Sequence, residues 1–320
     1  MRYYVLLGLL SAGAYAAGAI VTAALVAIGW SRCRRALIEV PARQRAQLLA
    51  GLRAAPFAVG LMCSLTLSGV FLRFEPRTTN ESPGLTLIAA TALALVLLMT
   101  AAARVWQSIA AGRQCARLLQ TCRVRTDRTE SLPMWIVDTQ YPIAAVTGVL
   151  RPRLLVSTRI LHECPPEEMD AILRHEAAHI RRHDNLLRAF MMSTPDPLQF
   201  GGTGRAIQAA WAAAAEQAAD DEAVGNRPEA RADLAAALVR VARMVQGPPP
   251  AWANGVAFYE GSNLEERVQR LLAPGPAGRR ARMLSAAAAL LIIAAIAVVA
   301  ADPIASRVHT VMEAAVNHLP

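Results

Sequence analysis

Four long apolar runs without a charged side chain constrain the fold of this chain more than any other feature. They cover residues 3–31, 54–72, 82–103 and 283–301. A helix needs about 20 apolar residues to cross the hydrocarbon core of a bilayer, and all four runs have close to that length or more. Because helices buried in soluble proteins seldom stay uncharged over such lengths, the sequence predicts a mostly α-helical membrane protein with four transmembrane helices.

The distribution of arginine predicts how these helices are oriented. The net charge is +9, no lysine occurs, and residues 32–53 between the first two runs hold six arginines against the single Glu39. Cytoplasmic loops carry the excess of basic residues, so we expect this loop inside a bacterial inner membrane and both termini outside. Residues 105–282 are then a cytoplasmic domain inserted between the third and fourth helices, and residues 302–320 form a short extracytoplasmic tail.

Other interpretations of the N-terminus and of the charge carry less weight. A signal peptide cleaved near residues 11–16 would require the apolar run to stop there, but the run continues to residue 31. The basic charge also raises nucleic acid as a partner. It concentrates beside the apolar runs, however, so the lipid bilayer is the expected partner and direct nucleic-acid binding is not.

The segment from His175 to His179 reads His-Glu-Ala-Ala-His, the HExxH pattern. On a helix, positions i and i+4 lie one turn apart on the same face, so the two imidazoles can bind one metal ion. Glu176 projects beside them, where it can take a proton from a metal-bound water. The apolar flanking residues favour a buried active-site helix over a surface helix with two unrelated histidines.

A second helical segment supplies the remaining residues of a zinc site. A catalytic zinc needs three protein ligands and one open position, and Glu216 is the candidate for the third ligand. Asp220 lies four residues further on, so it can face the same site and hold a ligand histidine by its other ring nitrogen. Tyr259 and His183 are the candidates for the group that stabilises the oxyanion.

The cytoplasmic segment is predicted to be an α+β domain. Short apolar runs between residues 134 and 158 predict strands of a small sheet. Zinc peptidases commonly hold substrate as an added strand on a sheet edge, and residues 142–148 are the candidate edge, with plain core β-structure as the alternative. The expected helices cover residues 105–127, 165–183, 185–192, 205–224, 228–246 and 264–272.

This order of elements resembles the BlaR/MecR family of membrane gluzincin metallopeptidases. The resembling stretches are residues 142–161, 175–184, 216–224 and 264–272, and the likeness extends over about residues 1–300. Such proteins sense an outside signal and activate a cytoplasmic protease. That protease can cut itself and inactivate a DNA-binding repressor.

The resemblance implies a role for each residue of the site. His175, His179 and Glu216 match the zinc ligands of the family, Glu176 matches its catalytic carboxylate, and Asp220 matches its outer acidic residue. The implied cofactor is therefore Zn²⁺. The implied partner is a protein substrate, such as a winged-helix transcriptional repressor.

The sequence also departs from the family pattern. The β-lactam sensors carry a penicillin-binding domain after the fourth helix. We expect none here, because only residues 302–320 follow the last run and no SxxK motif occurs. Ala219 replaces the usual cysteine of the family's ExxCD run, which need not affect metal binding.

Three functions remain open at this point. The leading hypothesis is a zinc endopeptidase for regulatory proteolysis in signal transduction. A quality-control protease of the HtpX type would have the same metal site. A non-catalytic zinc-binding membrane transducer is the third, and Glu176 argues against it because a structural zinc site needs no base.

Overall fold

The computed structural model describes residues 2–76, 83–121, 124–129, 132–245 and 264–273. The predicted fourth transmembrane helix at 283–301, the tail at 302–320 and Tyr259 lie outside the described residues. The chain divides into two compact units. One contains residues 1–103 and 193–211, and the other contains residues 104–192 and 212–281.

Three long apolar helices begin the chain: α1 (Arg2–Cys33), α2 (Ala42–Phe74) and α3 (Leu85–Thr121). Their segments Tyr3–Cys33, Ala42–Phe74 and Leu85–Gln114 are long and apolar enough to cross a membrane. The first three apolar runs are thus helical, as predicted. Each helix extends past its uncharged run, because the flanking arginine-containing residues are also good helix formers.

Small residues let α1 and α2 approach closely. A Cβ added at Gly18 would lie 2.8 Å from Sγ of Cys63, and one added at Gly60 would lie 2.8 Å from the carbonyl oxygen of Tyr15. Small residues of this kind are typical of contacts between transmembrane helices, where backbones meet without a hydrophobic driving force. At another point of the helix pair, Phe71 packs with the buried Tyr3.

The second unit contains a four-stranded sheet with the order β1-β2-β4-β3. Its strands are β1 (Val124–Thr129), β2 (Leu132–Val137), β3 (Ala144–Thr147) and β4 (Arg153–Ser157). β2 and β4 are parallel, whereas β1–β2 and β3–β4 are antiparallel. Within the described sheet, β3 is an edge strand, as predicted for residues 142–148.

The predicted helix over residues 105–127 is wrong at its C-terminal end. The structure ends α3 at Thr121 and begins β1 at Val124. The physical reason is that β1 pairs with β2 along its whole length, and such pairing overrides a weak helical preference.

Five of the remaining described helices agree with the predicted segments to within a few residues, whereas a short helix after β4 was not predicted. The short α4 (Thr158–Glu163) follows β4 directly, and Oγ of Ser157 caps it by accepting from the backbone N–H of Ile160. The longer helices are α5 (Pro166–Arg181), α6 (Asp184–Ser193), α7 (Gly202–Val224), α8 (Pro228–Met244) and α9 (Leu264–Leu272).

Two interactions position α5, the helix that carries the HExxH segment. Its apolar face contributes Ile172 to a core that also contains Leu154 and Val156 of β4 and Ala237 of α8. At its N-terminal turn, Glu168 accepts two hydrogen bonds, of 2.6 and 2.8 Å, from the guanidinium of Arg240 on α8. The helix is therefore held between the sheet and α8.

Candidate metal centre

Three side chains from two helices converge on one point in the second unit. The Nε2 atoms of His175 and His179 on α5 are 3.1 Å apart. The carboxylate oxygens of Glu216 on α7 lie 3.4 Å from Nε2 of His175 and 3.6 Å from Nε2 of His179. The three residues are a group that could hold a metal ion.

The spacing of these donor atoms fits zinc. Nitrogen and oxygen ligands at about 2.0–2.1 Å from a tetrahedral zinc are about 3.3 Å from one another. The observed separations of 3.1, 3.4 and 3.6 Å lie on both sides of that value. Two imidazoles and one carboxylate are also a donor set that catalytic zinc sites use, with the fourth position left open.

Each histidine is oriented by an aspartate behind it. Nδ1 of His175 lies 2.9 Å from Oδ1 of Asp220, and Nδ1 of His179 lies 2.7 Å from Oδ2 of Asp184. Both rings therefore present Nε2 towards Glu216, because the carboxylates engage the opposite nitrogens. Asp220 thus lies beside a histidine of the candidate site.

Sequence reasoning missed the role of Asp184. This residue follows His179 by five positions, beyond the end of α5, where helical spacing no longer applies. His183 has a left-handed backbone with φ of 55°, and its N–H donates to the carbonyl of Ile180. The turn at His183 ends α5 and starts α6 at Asp184, next to the site. His183 is thus a polar residue at a helix end.

Arg267 on α9 was also missed, since the sequence predicted only an amphipathic helix there. Its Nε and Nη2 donate to the two carboxylate oxygens of Asp220 at 2.8 and 2.7 Å. Its Nη1 lies 3.0 Å from Oε2 of Glu216. Arg270 on α9 also contacts α7, because it donates to the backbone carbonyl of Gln217 at 3.1 Å. The sequence feature that could have indicated a basic partner such as Arg267 was the acidic run at 216–222, because buried acidic side chains require a cation nearby.

These contacts determine the protonation of the metal-free site. Burial favours neutral His175, but hydrogen bonds to Asp220 and Glu216 outweigh it and raise the pKa of His175 to about 10. Burial also opposes ionisation of Glu216, yet the hydrogen bond from His175 and the charges of His179 and Arg267 lower its pKa to about 2. Both pKa shifts follow from the attraction between oppositely charged groups within one buried cluster.

Glu176 lies beside the three converging side chains, but its environment differs from theirs. It is buried with 4% of its surface exposed, and its Oε2 has no hydrogen-bond partner among the described residues. Burial raises the pKa of Glu176, against the opposing charges of His175 and His179. A carboxylate with a raised pKa and an unengaged oxygen is suited to accept and return a proton.

A histidine pair on one helix and an acid on a second form a group that could hold a metal ion, with a buried carboxylate beside them, and the described residues include three helices apolar and long enough to cross a membrane. A model of the family described as BlaR1 peptidase M56 matches residues 73–271, which is more than half of the chain. The chain belongs to this family, and the predicted resemblance is confirmed. It is therefore a membrane-associated peptidase of a metallopeptidase family. No curated protein and no solved structure matches the chain.

Proposed function

We propose that the protein is a membrane-bound zinc endopeptidase whose ligands are His175, His179 and Glu216. The observation that carries the proposal is the convergence of their three donor groups at separations of 3.1 to 3.6 Å. Glu176 is the catalytic residue, and Asp184 and Asp220 hold the two ligand histidines. Zinc bound there supplies Lewis acidity, which polarises a peptide carbonyl and makes a water molecule a better nucleophile.

The side chains of the protein perform the proton transfers. The free Oε2 of Glu176 accepts a proton from the attacking water, and Glu176 then gives this proton to the leaving amine. The raised pKa of Glu176 supports this role, because a carboxylate with a higher proton affinity is a better base at neutral pH.

The edge strand β3 is the proposed substrate-binding strand. Among the described strands it pairs only with β4, so an extended peptide would pair with the backbone groups on its other side that Asn185 does not engage. The backbone of β3 is linked to the site, since Asn185 on α6 donates to the carbonyl of Val146 at 3.0 Å and neighbours Asp184. A peptide added there would run close to the elements that carry the catalytic residues.

The proposed biological role is regulatory proteolysis of a cytoplasmic transcriptional repressor, of the protein itself, or of both. Membership in the BlaR1 peptidase family supports this role. The arginine-rich loop at 32–53 supports a cytoplasmic peptidase domain in a bacterial inner membrane.

The first experiment measures zinc per chain in full-length protein purified in nanodiscs. We expect about one zinc in the wild type and in Glu176→Ala, and a clear loss in Glu216→Ala. Proteolysis is then assayed with casein and by self-cleavage, for which Glu176→Ala is the inactive variant. A wild type without zinc, or a Glu176→Ala protein that cleaves as fast as the wild type, contradicts the proposal.

A further inference from the structure

Two carbonyl groups at the C-terminal end of β3 are bound by one side chain of α6. Nδ2 of Asn185 donates to the carbonyl of Val146 at 3.0 Å and to the carbonyl of Gly148 at 3.1 Å. Asn185 directly follows Asp184, whose carboxylate lies 2.7 Å from Nδ1 of His179. All of these residues belong to the compact unit of the metal centre. Asn185 therefore joins the edge strand to the residue that orients a candidate metal ligand.

The pairing of β3 with β4 shows which backbone groups lie on the outer edge of β3. The N–H of Ser157 on β4 donates at 2.8 Å to the carbonyl of Ile143, one residue before β3. Hydrogen-bonded positions alternate along an antiparallel strand, so Ala144 and Val146 direct their N–H and C=O groups away from β4. Asn185 engages one of these four groups, the carbonyl of Val146. A docked peptide can therefore pair with both groups of Ala144 and with the N–H of Val146.

The side chain of Asn185 stands in the path of such a peptide. Neighbouring strands of a sheet lie about 4.8 Å apart. Nδ2 of Asn185 is only 3.0 and 3.1 Å from the carbonyl oxygens of Val146 and Gly148, so it lies between β3 and the place of an added strand. A peptide that pairs with Ala144 and continues towards Gly148 therefore meets the Asn185 side chain instead of the carbonyl of Val146.

The carboxamide of Asn185 has one defined orientation and one acceptor to spare. Carbonyl oxygens only accept hydrogen bonds, so the group that faces Val146 and Gly148 must be the amide NH₂. Both of its hydrogens are used by these two carbonyls. Oδ1 of Asn185 accepts no hydrogen bond from the described residues, and the side chain is partly exposed. Asn185 thus covers the acceptor of Val146 and presents an acceptor of its own at the same edge.

We propose that Asn185 is a substrate-binding residue: its Oδ1 accepts a hydrogen bond from a backbone N–H of the peptide docked along β3. The inference rests on the proposed zinc endopeptidase and on β3 as its substrate strand. It adds a rule of specificity, because one position of the substrate must then carry a backbone N–H. Proline and N-methylated residues lack this group and are disfavoured there. Since Asn185 adjoins Asp184, which orients His179, this position lies near the bond that is cut.

The test combines variants of Asn185 with variants of the substrate backbone. The substrate is a short peptide that spans a bond cut by the wild type, either in casein or in the chain itself. A series of this peptide carries one N-methylated residue at each position in turn, and KM and kcat are measured with zinc-saturated, full-length protein in nanodiscs. Asn185→Ala removes the acceptor and both donors. Asn185→Asp keeps the shape but cannot donate, so the two carbonyls repel it.

Both variants should raise KM for the unmodified peptide about fivefold, as for loss of one hydrogen bond, at unchanged zinc affinity. In both, N-methylation at one position should lose the penalty that it has in the wild type. The neighbouring variant Asp184→Asn is the control, because it should weaken zinc binding yet keep every N-methyl penalty once zinc is saturating.

The outcomes separate substrate binding from a merely structural role of Asn185. Loosening of β3 alone would raise KM for all peptides alike and preserve every N-methyl penalty, and this result overturns the inference. An unchanged KM in both Asn185 variants also overturns it, while the zinc site stands. Circular dichroism and zinc content check the fold, and Asn185→Asp decides the question if Asn185→Ala does not fold. A wild type without zinc or without cleavage overturns the proposed function itself.

Discussion

Replacing Arg267 by methionine tests how the acidic centre is stabilised. The substitution keeps the apolar length of the side chain but removes its charge. It deletes the two hydrogen bonds of 2.8 and 2.7 Å to Asp220 and the 3.0 Å contact with Glu216. Asp220, which is 0% exposed, would then have only His175 to balance its charge.

The expected magnitude follows from the burial of the partners. Removal of one partner from a buried ion pair costs about 3–5 kcal/mol, because the remaining charge stays uncompensated. Arg267 is 12% exposed. Since water can reach part of the site, we take the lower end of the range, about 3 kcal/mol of the free energy of unfolding. For a domain of this size, that corresponds to a decrease of about 6–12 °C in melting temperature.

The chain provides a matched control one turn further along α9. Arg270 pairs with Asp221 at 2.5 Å, where the two side chains are 32% and 49% exposed, and it donates one hydrogen bond of 3.1 Å to the carbonyl of Gln217. An exposed pair contributes at most about 1 kcal/mol and a single hydrogen bond about 1 kcal/mol, so Arg270→Met should lower the melting temperature by less than Arg267→Met does. The assay is thermal denaturation of chelator-treated, full-length protein in nanodiscs, followed by circular dichroism. Equal shifts for the two variants would refute the account of Arg267 as a buried counter-charge.

Three further predictions concern the site and the turn beside it. Asp184→Asn should weaken zinc binding about 10- to 100-fold in chelator competition, because His179 loses its oriented partner; unchanged affinity contradicts this. Because the pKa of metal-free His175 is raised to about 10, the ring is protonated at pH 7.5, and zinc must displace that proton. Calorimetry in two buffers of different ionisation enthalpy should therefore detect about one proton released per zinc bound. The affinity for zinc should also rise about tenfold per pH unit between pH 7 and 9. Zinc binding without proton release would be inconsistent with this. Gly148→Ala should lower the melting temperature, since Gly148 has φ of 90° and its new Cβ would lie 2.7 Å from the Arg151 carbonyl oxygen. An unchanged melting temperature would argue against the left-handed backbone of Gly148 between β3 and β4.

The helices were the most predictable part of the fold. The three apolar runs within the described residues are helical, and the segment 264–272 is a helix with the predicted bounds. Helical hydrogen bonds and amphipathic periodicity are local, so a short window of sequence contains most of the information that decides them. The start of β1 was missed for the opposite reason, since its conformation depends on pairing with β2.

The candidate site likewise has a part that local sequence predicts and a part that depends on tertiary contacts. His175, Glu176 and His179 share one helix, so their spacing alone places them together. Glu216 lies 37 positions after His179, and only the motif chemistry selected it from the acidic residues of α7. Asp184 and Arg267 carried no motif, because a turn at a helix end and the packing of α9 bring them to the site.

The sequence by itself determined the class of the protein: apolar helices long enough for a bilayer, and two histidines on one helical face that could hold a metal ion. These properties follow from composition and from the 3.6-residue period of the helix. Only the tertiary structure decided which carboxylates orient which histidine, and that Arg267 pairs with the acidic residues of α7. The reason is that these contacts join residues distant in the chain, and distance in the chain does not specify distance in space.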